Sequence, residues 1–229
     1  MYTFTFKGIS SEQFNVFIPV KPIFPLAQQN VDYIEIPGRN GHLTNDYNCR
    51  KSLLITAECC INDISDSNMR DVRAWLCGSG DLIFSTEPEK KWKARLDLPV
   101  DINTPMVELR EFILVFDCYP LAYAIDNIPL TLTTSPTKII NMTNTNAEPV
   151  IKIYGSGSIN LSINGSIIYL TNVSEYVIID SDMVDCYKDT MPKNNDMEGE
   201  FPILNVGDNI ISWTGSVTEV LLTPNYRWI

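Results

Sequence analysis

The sequence predicts a mainly β protein in two parts. An N-terminal antiparallel sheet of split-barrel-like form carries one helix (residues 1–130), and a C-terminal β-sandwich or jelly roll follows (131–229). Three observations predict it. Apolar residues recur at every second position in short runs, the period of a half-buried strand. Fourteen Pro and eleven Gly are scattered along the chain, so they read as turn punctuation rather than a low-complexity linker. The composition shifts at Asn127, beyond which charge thins and Thr, Asn, Ser and Ile dominate. A chain of 229 residues is long enough to bury a core in one large or two modest domains.

In chain order, Tyr2, Phe4 and Phe6 share one face of a first strand, with Thr3, Thr5 and Lys7 on the other. Gly8 ends it, and Phe14–Pro19 reads as a second strand. Pro19, Pro22 and Pro25 then exclude helix and central strand, because each fixes φ and lacks an N–H donor. They predict a long extended connection leading into a strand at Val31–Ile36. The segment Ile34–Leu43 reads as a strand, a Pro37–Gly38 corner and a loop that displays Arg39 at its tip before Gly41. Its glycines and arginine suggest a phosphate loop, but no helix pattern and no Lys-Ser/Thr follows. A loop between two strands is the better reading.

Leu53–Ile61 alternates again. The single helix has Asp66 or Ser67 as its cap and Met69, Val72, Trp75 and Leu76 on one face, packed on a sheet, and Gly78 stops it. Strands follow at Gly80–Phe84 and Trp92–Leu98. Glu111–Cys118, apolar on both faces, reads as a central strand closed by Tyr119-Pro120. Pro129–Pro136 reads as a linker. Beyond it, strands are expected at Ile139–Met142, Pro149–Tyr154, Ile159–Ile163, Ser166–Leu170 and Tyr176–Asp180, with Asn164-Gly165 as a hairpin turn. A polar loop (Asp189–Glu200) precedes Phe201–Leu204, Ile210–Trp213, a Gly215 turn and Val217–Thr223.

The formal net charge is −11, shared by both halves, with twelve Lys/Arg against seventeen Asp/Glu before residue 131 and five against eleven after it. Adhesion along a nucleic-acid backbone is thereby disfavoured, because it requires cations to neutralise phosphates. The N-terminus alternates like a strand rather than a signal peptide, and no run is long enough for a membrane-spanning helix. The six cysteines contain no C-x-x-C pair and are expected as buried, reduced thiols. No cofactor or metal is expected. His42 is the only histidine, and no nucleophile motif adjoins it. Asp180, Asp182 and Asp185 form the densest carboxylate group, but the sixth and twelfth positions of a calcium loop counted from Asp180 hold Asp185 and Met191. No catalytic residues are assigned, and the chain is not expected to be an enzyme. Tyr154, Trp213, Tyr226 and Trp228 are candidates for stacking on sugars, against a core role.

Several segments carry a family resemblance. They are Phe4–Gly8, Ile36–Leu43, Trp75–Gly78 followed by Gly80–Phe84, Phe116–Pro120, Gly199–Leu204, Gly207–Gly215 and Pro224–Trp228. In this order the chain resembles the distal tail proteins of long-tailed, non-contractile bacteriophages. The resemblance implies a non-enzymatic structural component of the virion tail tip or baseplate, made in the bacterial cytoplasm. It implies a hexameric ring, sometimes two back to back, joining the tail tube protein to tail-tip, lysin or baseplate proteins. The N-terminal domains would form the ring, with DNA passing through its lumen unbound, and galectin-like C-terminal sandwiches would project outward. The extended stretch at about residues 19–47 would then be an arm on a neighbouring subunit, with Pro22, Pro25, Pro37, Gly38, Arg39 and Gly41 as interface candidates. The alternative is a carbohydrate-binding protein recognising host cell-wall glycans through the C-terminal sandwich. A peptidoglycan hydrolase ranks last.

Overall fold

The computed structural model describes residues 1–96 and 111–229, and Leu98, expected to end a strand, lies outside the described residues. The chain is mainly β and divides into two compact units, Met1–Ala122 with Ile229, and Tyr123–Trp228.

In the first unit the strands are β1 (Phe4–Phe6), β2 (Ile9–Ser10), β3 (Val16–Phe17), β4 (Gln29–Glu35), β5 (His42–Arg50), β6 (Leu53–Ile61), β7 (Gly78–Phe84), β8 (Lys90–Leu96) and β9 (Glu111–Ala124). Seven of them form a curled sheet in the order β2-β1-β7-β8-β9-β6-β3. Strand β6 shows how the sequence writes this sheet. Leu53, Ile55, Ala57, Cys59 and Ile61 are buried, while Leu54, Thr56 and Glu58 face outward. Its neighbour β9 buries Leu114, Phe116 and Cys118 but exposes Ile113, so it is not apolar-buried on both faces as its composition suggested. Among the described residues one face of the sheet is therefore open. Pro120 does not close β9, which runs on to Ala124; its missing N–H is tolerated because the ladder with β6 has ended at the Leu53–Cys118 pair.

Helix α1 (Asp66–Trp75) covers the other face through Met69, Val72 and Trp75, and the buried Leu76 follows as its C-cap. Ser65 is the N-cap, one residue before Asp66 and two before Ser67, the expected caps; its Oγ accepts from the Asn68 N–H at 3.5 Å. Asp66 instead occupies the first turn, where its charge favours the helix dipole. Trp75 is the centre of this packing. Its ring stacks on Phe14 (4.8 Å between centroids) and Phe4 (5.3 Å), and its Nε1–H donates to the Phe6 carbonyl at 2.9 Å.

In the second unit the strands are β10 (Leu130–Leu132), β11 (Thr137–Asn141), β12 (Val150–Ile163), β13 (Ser166–Val173), β14 (Tyr176–Asp180), β15 (Asp185–Lys188), β16 (Met191–Pro192), β17 (Met197–Glu198), β18 (Gly207–Thr223) and β19 (Arg227–Trp228). The expected linker is thus partly a strand: Leu130 and Leu132 pair with Leu222 and Val220. Likewise β15, β16 and β17 add pairing in and around a stretch read as loop.

The larger correction concerns β12 and β18, each expected as two short strands. Each is one long strand whose register shifts at glycines, at Tyr154/Gly155 and Ser156/Asn160. The first half of β12 pairs with β14, and its second half with β13. Similarly, β18 pairs with β11 early and β10 late. Two continuous strands therefore serve both layers of a β-sandwich, with bulges making the bend. The backbones approach closely there. A Cβ on Gly155 would overlap the Ser216 carbonyl oxygen, and one on Gly215 would stand 2.5 Å from that of Ser158. Asn164 and Gly165 both take positive φ (53° and 88°), the requirement of a type I′ hairpin turn.

Most buried polar side chains of this unit are hydrogen-bonded, Ser181 Oγ being the exception among the described residues. Buried Asn209 accepts from Asn164 and from the Asn205 N–H, and donates to the carbonyls of Asn205 and Gly207. Near the C-terminus, Arg227 makes a bidentate pair with Glu148, both contacts at 2.7 Å, and donates Nε–H to the Asn146 carbonyl. Such forked geometry fixes a segment more firmly than a lone surface pair.

The cysteines divide by exposure. Cys59, Cys118 and Cys186 are buried, Cys60 is intermediate, and Cys49 and Cys77 are exposed, so the expectation of six buried thiols holds only in part. Burial raises the Cys59 thiol and pushes Cys118 up to about 12 and Cys186 to about 11. A thiol reagent at pH 8 is expected to modify Cys49 and Cys77 of the isolated subunit rapidly, and the three buried thiols only after denaturant is added.

Candidate functional site

The Pro-rich stretch does not hang free. The Phe24 ring lies parallel to Trp92 at 5.0 Å and meets Phe84 edge-on at 5.3 Å. Ile23 forms a bridge with Thr56, Ala27 is buried, and Pro22 is buried as well, whereas Pro25 is exposed. At the end of the stretch Lys51 N–H donates to the Gln28 carbonyl and Arg50 Nη1 to the Ala27 carbonyl, both at 2.8 Å. Residues 19–28 are thus bound to their own unit. Deleting Lys21–Gln29 is expected to lower the unfolding midpoint of the first unit strongly, because it removes Phe24 and Ala27 from the core. Thermal denaturation of the variant checks this.

What projects is the hairpin β4–β5. It forms a separate two-stranded sheet, in register from Val31–Asp46 to Glu35–His42. Its turn follows from sequence: Pro37 and Gly38 hold the two central positions, Gly38 at φ +82°, and the Arg39 N–H returns to the Ile36 carbonyl at 3.1 Å. That is the type II pattern, Pro first and a positive-φ Gly second. Pro37, Gly38, Arg39 and Gly41 are all exposed, and Glu35, Arg39 and His42 rim a depression of about 480 Å³ at the tip.

Alternation divides the hairpin side chains between two faces. Asp32, Ile34, Leu43, Asn45 and Tyr47 share one, where Tyr47 OH donates to Asp32 Oδ2 at 2.7 Å. That carboxylate holds the Tyr47 phenol above its ordinary value. Tyr33 and His42 meet edge-to-face on the other at 4.4 Å. Tyr33, Ile34, Leu43 and Tyr47 are all exposed. A two-stranded hairpin carrying apolar groups on both faces is marginal in water by itself. The turn is legible in the sequence, but this exposure is not, because alternation cannot report that a third strand is missing.

Two depressions lie on the open side of the main sheet. One, about 330 Å³, runs beside β6 and is lined by Val20, Lys21, Pro22, Ile23, Pro25, Leu54, Thr56 and Glu58. The other, about 560 Å³, is lined by Lys93, Arg95, Asp81, Asp117, Tyr119 and neighbouring small residues. Lys91 pairs with Asp81 at 2.8 Å.

In the second unit, Trp213 and Tyr226 pack against the core, and Tyr226 OH donates to the Ile140 carbonyl. Of the four aromatic residues considered for sugar stacking, Tyr154 instead forms a half-exposed pair with Tyr176 (5.7 Å), which the sequence reading missed. Lys152 Nζ sits over both rings, 4.7 Å and 3.9 Å from their centroids, and so occupies one face of each. Tyr176 donates to Asp189, which pushes its phenol up to about 12. Among the described residues no group of three His, Cys, Asp or Glu is arranged to hold a metal ion, and no helix is long and apolar enough to cross a membrane.

No protein-family model and no curated protein matches the sequence. A solved structure does match the fold: the crystal structure of SPP1 Dit (gp 19.1), described as a paradigm of the hub adsorption apparatus in Gram-positive infecting phages. It aligns with a TM-score of 0.70, covering 97% of this chain and 98% of that one, at 13% sequence identity. The two chains share a fold. The likeness runs through both units and is not confined to a common β-sandwich. An SPP1 Dit-like backbone is thus reached by a sequence of which only about one residue in eight is the same.

Proposed function

We propose that the chain is a structural hub protein of a phage tail, of the distal tail protein type. It assembles as a hexameric ring, single or doubled back to back, between the tail tube protein and the tail-tip, lysin or baseplate proteins. The single observation that carries the reading is the fold likeness to a phage hub protein over practically the whole of both chains. The motif order along the sequence and the exposed hairpin of the first unit agree with it. In this reading the protein is a virion component without enzymatic activity or cofactor, and DNA crosses the ring without specific binding. A net charge of −11 suits a channel that DNA passes without adhering.

The experiment is mass in solution by light scattering coupled to size exclusion. A particle of about six or twelve times 25.9 kDa is expected. A monomer at every concentration tested would overturn the ring.

A further inference from the structure

We propose that the hairpin β4–β5 of one copy seats along β6 of a second copy, with Arg39 at its tip against Glu58. The proposal rests on the ring reading above and names the surfaces that meet.

Three observations carry it. The hairpin shows apolar groups on both faces: Tyr33 is 65% exposed, Ile34 48%, Leu43 47% and Tyr47 51%. Among the described residues no third strand pairs with this two-stranded sheet, so further cover for these side chains is sought on another molecule. The same unit also offers an uncovered apolar groove beside β6, where Ile23 is 81% exposed and Leu54 59%. One chain therefore carries both a projecting apolar element and an apolar groove. A head-to-tail contact between copies covers both in every subunit, and such contacts close into rings when the rotation permits.

The third observation is the order of charge along the two surfaces. On the face that carries Ile34 and Leu43 the hairpin runs from Asp32 near the base through those two residues to Arg39 at the tip, with Asp46 and Glu35 on the opposite face. Along β6 the order is reversed. The depression containing Lys93 and Arg95 adjoins Ser52; Leu54 and Ile23 follow; and Glu58 stands at the far end of the groove, which Lys21 also lines. The lengths agree, since Asp32 to Ile36 and Leu54 to Glu58 each span about 14 Å at the ordinary strand rise. Asp81 and Asp117 share the Lys93–Arg95 end, so the contact that sets direction is the one at the tip. Among the described residues neither Arg39 nor Glu58 forms an ion pair.

The test is a charge swap in the full chain, read as mass by light scattering across a dilution series. Arg39→Glu and Glu58→Arg singly are each expected to raise the concentration for half-assembly by at least about tenfold, since like charges then face each other. The double variant Arg39→Glu/Glu58→Arg is expected to restore assembly toward that of the unaltered chain. Both residues are exposed, so unchanged melting curves for the variants are expected. Normal assembly of Arg39→Glu, or a double variant no better than the singles, overturns the pairing while leaving the ring standing. A monomeric unaltered chain overturns the ring itself.

Discussion

Replacing Trp75 by alanine is expected to destabilise the first unit by about 4–6 kcal/mol. Truncating a buried Trp costs about 3–5 kcal/mol through lost transfer energy and the cavity left behind. Here the Phe6 carbonyl also loses its indole donor, which adds roughly 1 kcal/mol. Phe4 and Phe14 each lose a stacking partner, so the cavity opens between sheet and helix rather than at an edge. Trp75→Phe keeps most of the ring contact and loses only the N–H donor and some volume, so a smaller loss of about 1–2 kcal/mol is expected. Urea denaturation of both variants checks the ranking. Equal losses would mean that the hydrogen bond, not the packing, holds the helix to the sheet.

Gly155→Val is expected to prevent the second unit from folding. A side chain there would overlap the Ser216 carbonyl oxygen and stand 2.9 Å from Ile159 Cδ1, and the first of these is backbone in the partner strand. Relief requires β12 and β18 to separate where both change layers. The ladders with β10, β11, β13 and β14 all depend on that crossing. Far-ultraviolet circular dichroism and limited proteolysis read the result: loss of protection is expected in Tyr123–Trp228, with the first unit intact. A soluble, protected second unit in the Gly155→Val variant would show that the crossing has slack.

These two sites also show where the sequence is legible. Trp75, Met69 and Val72 could be placed on one helix face because their spacing follows a single period. Strand β6 was readable for the same reason: Leu53, Ile55, Ala57 and Cys59 alternate without interruption. The continuity of β12 and β18 was not, because Gly155, Gly157 and Gly215 look like turns, and a bulge inside a long strand has the same residues as a turn between short ones. Phe24 was missed as a core residue because a lone aromatic among prolines belongs to no period. The placement of the hairpin beyond any third strand is a tertiary fact that local pattern does not carry. Of the interface candidates, Pro22 is buried in the isolated subunit, while Arg39, like the neighbouring Ile34 and Leu43, is exposed.

The most direct measurement of the central claim is negative-stain imaging of the purified protein. The account predicts ring-shaped particles, six-fold in projection, with a central hole wide enough for duplex DNA. Compact particles of one or two subunits without a hole would contradict it.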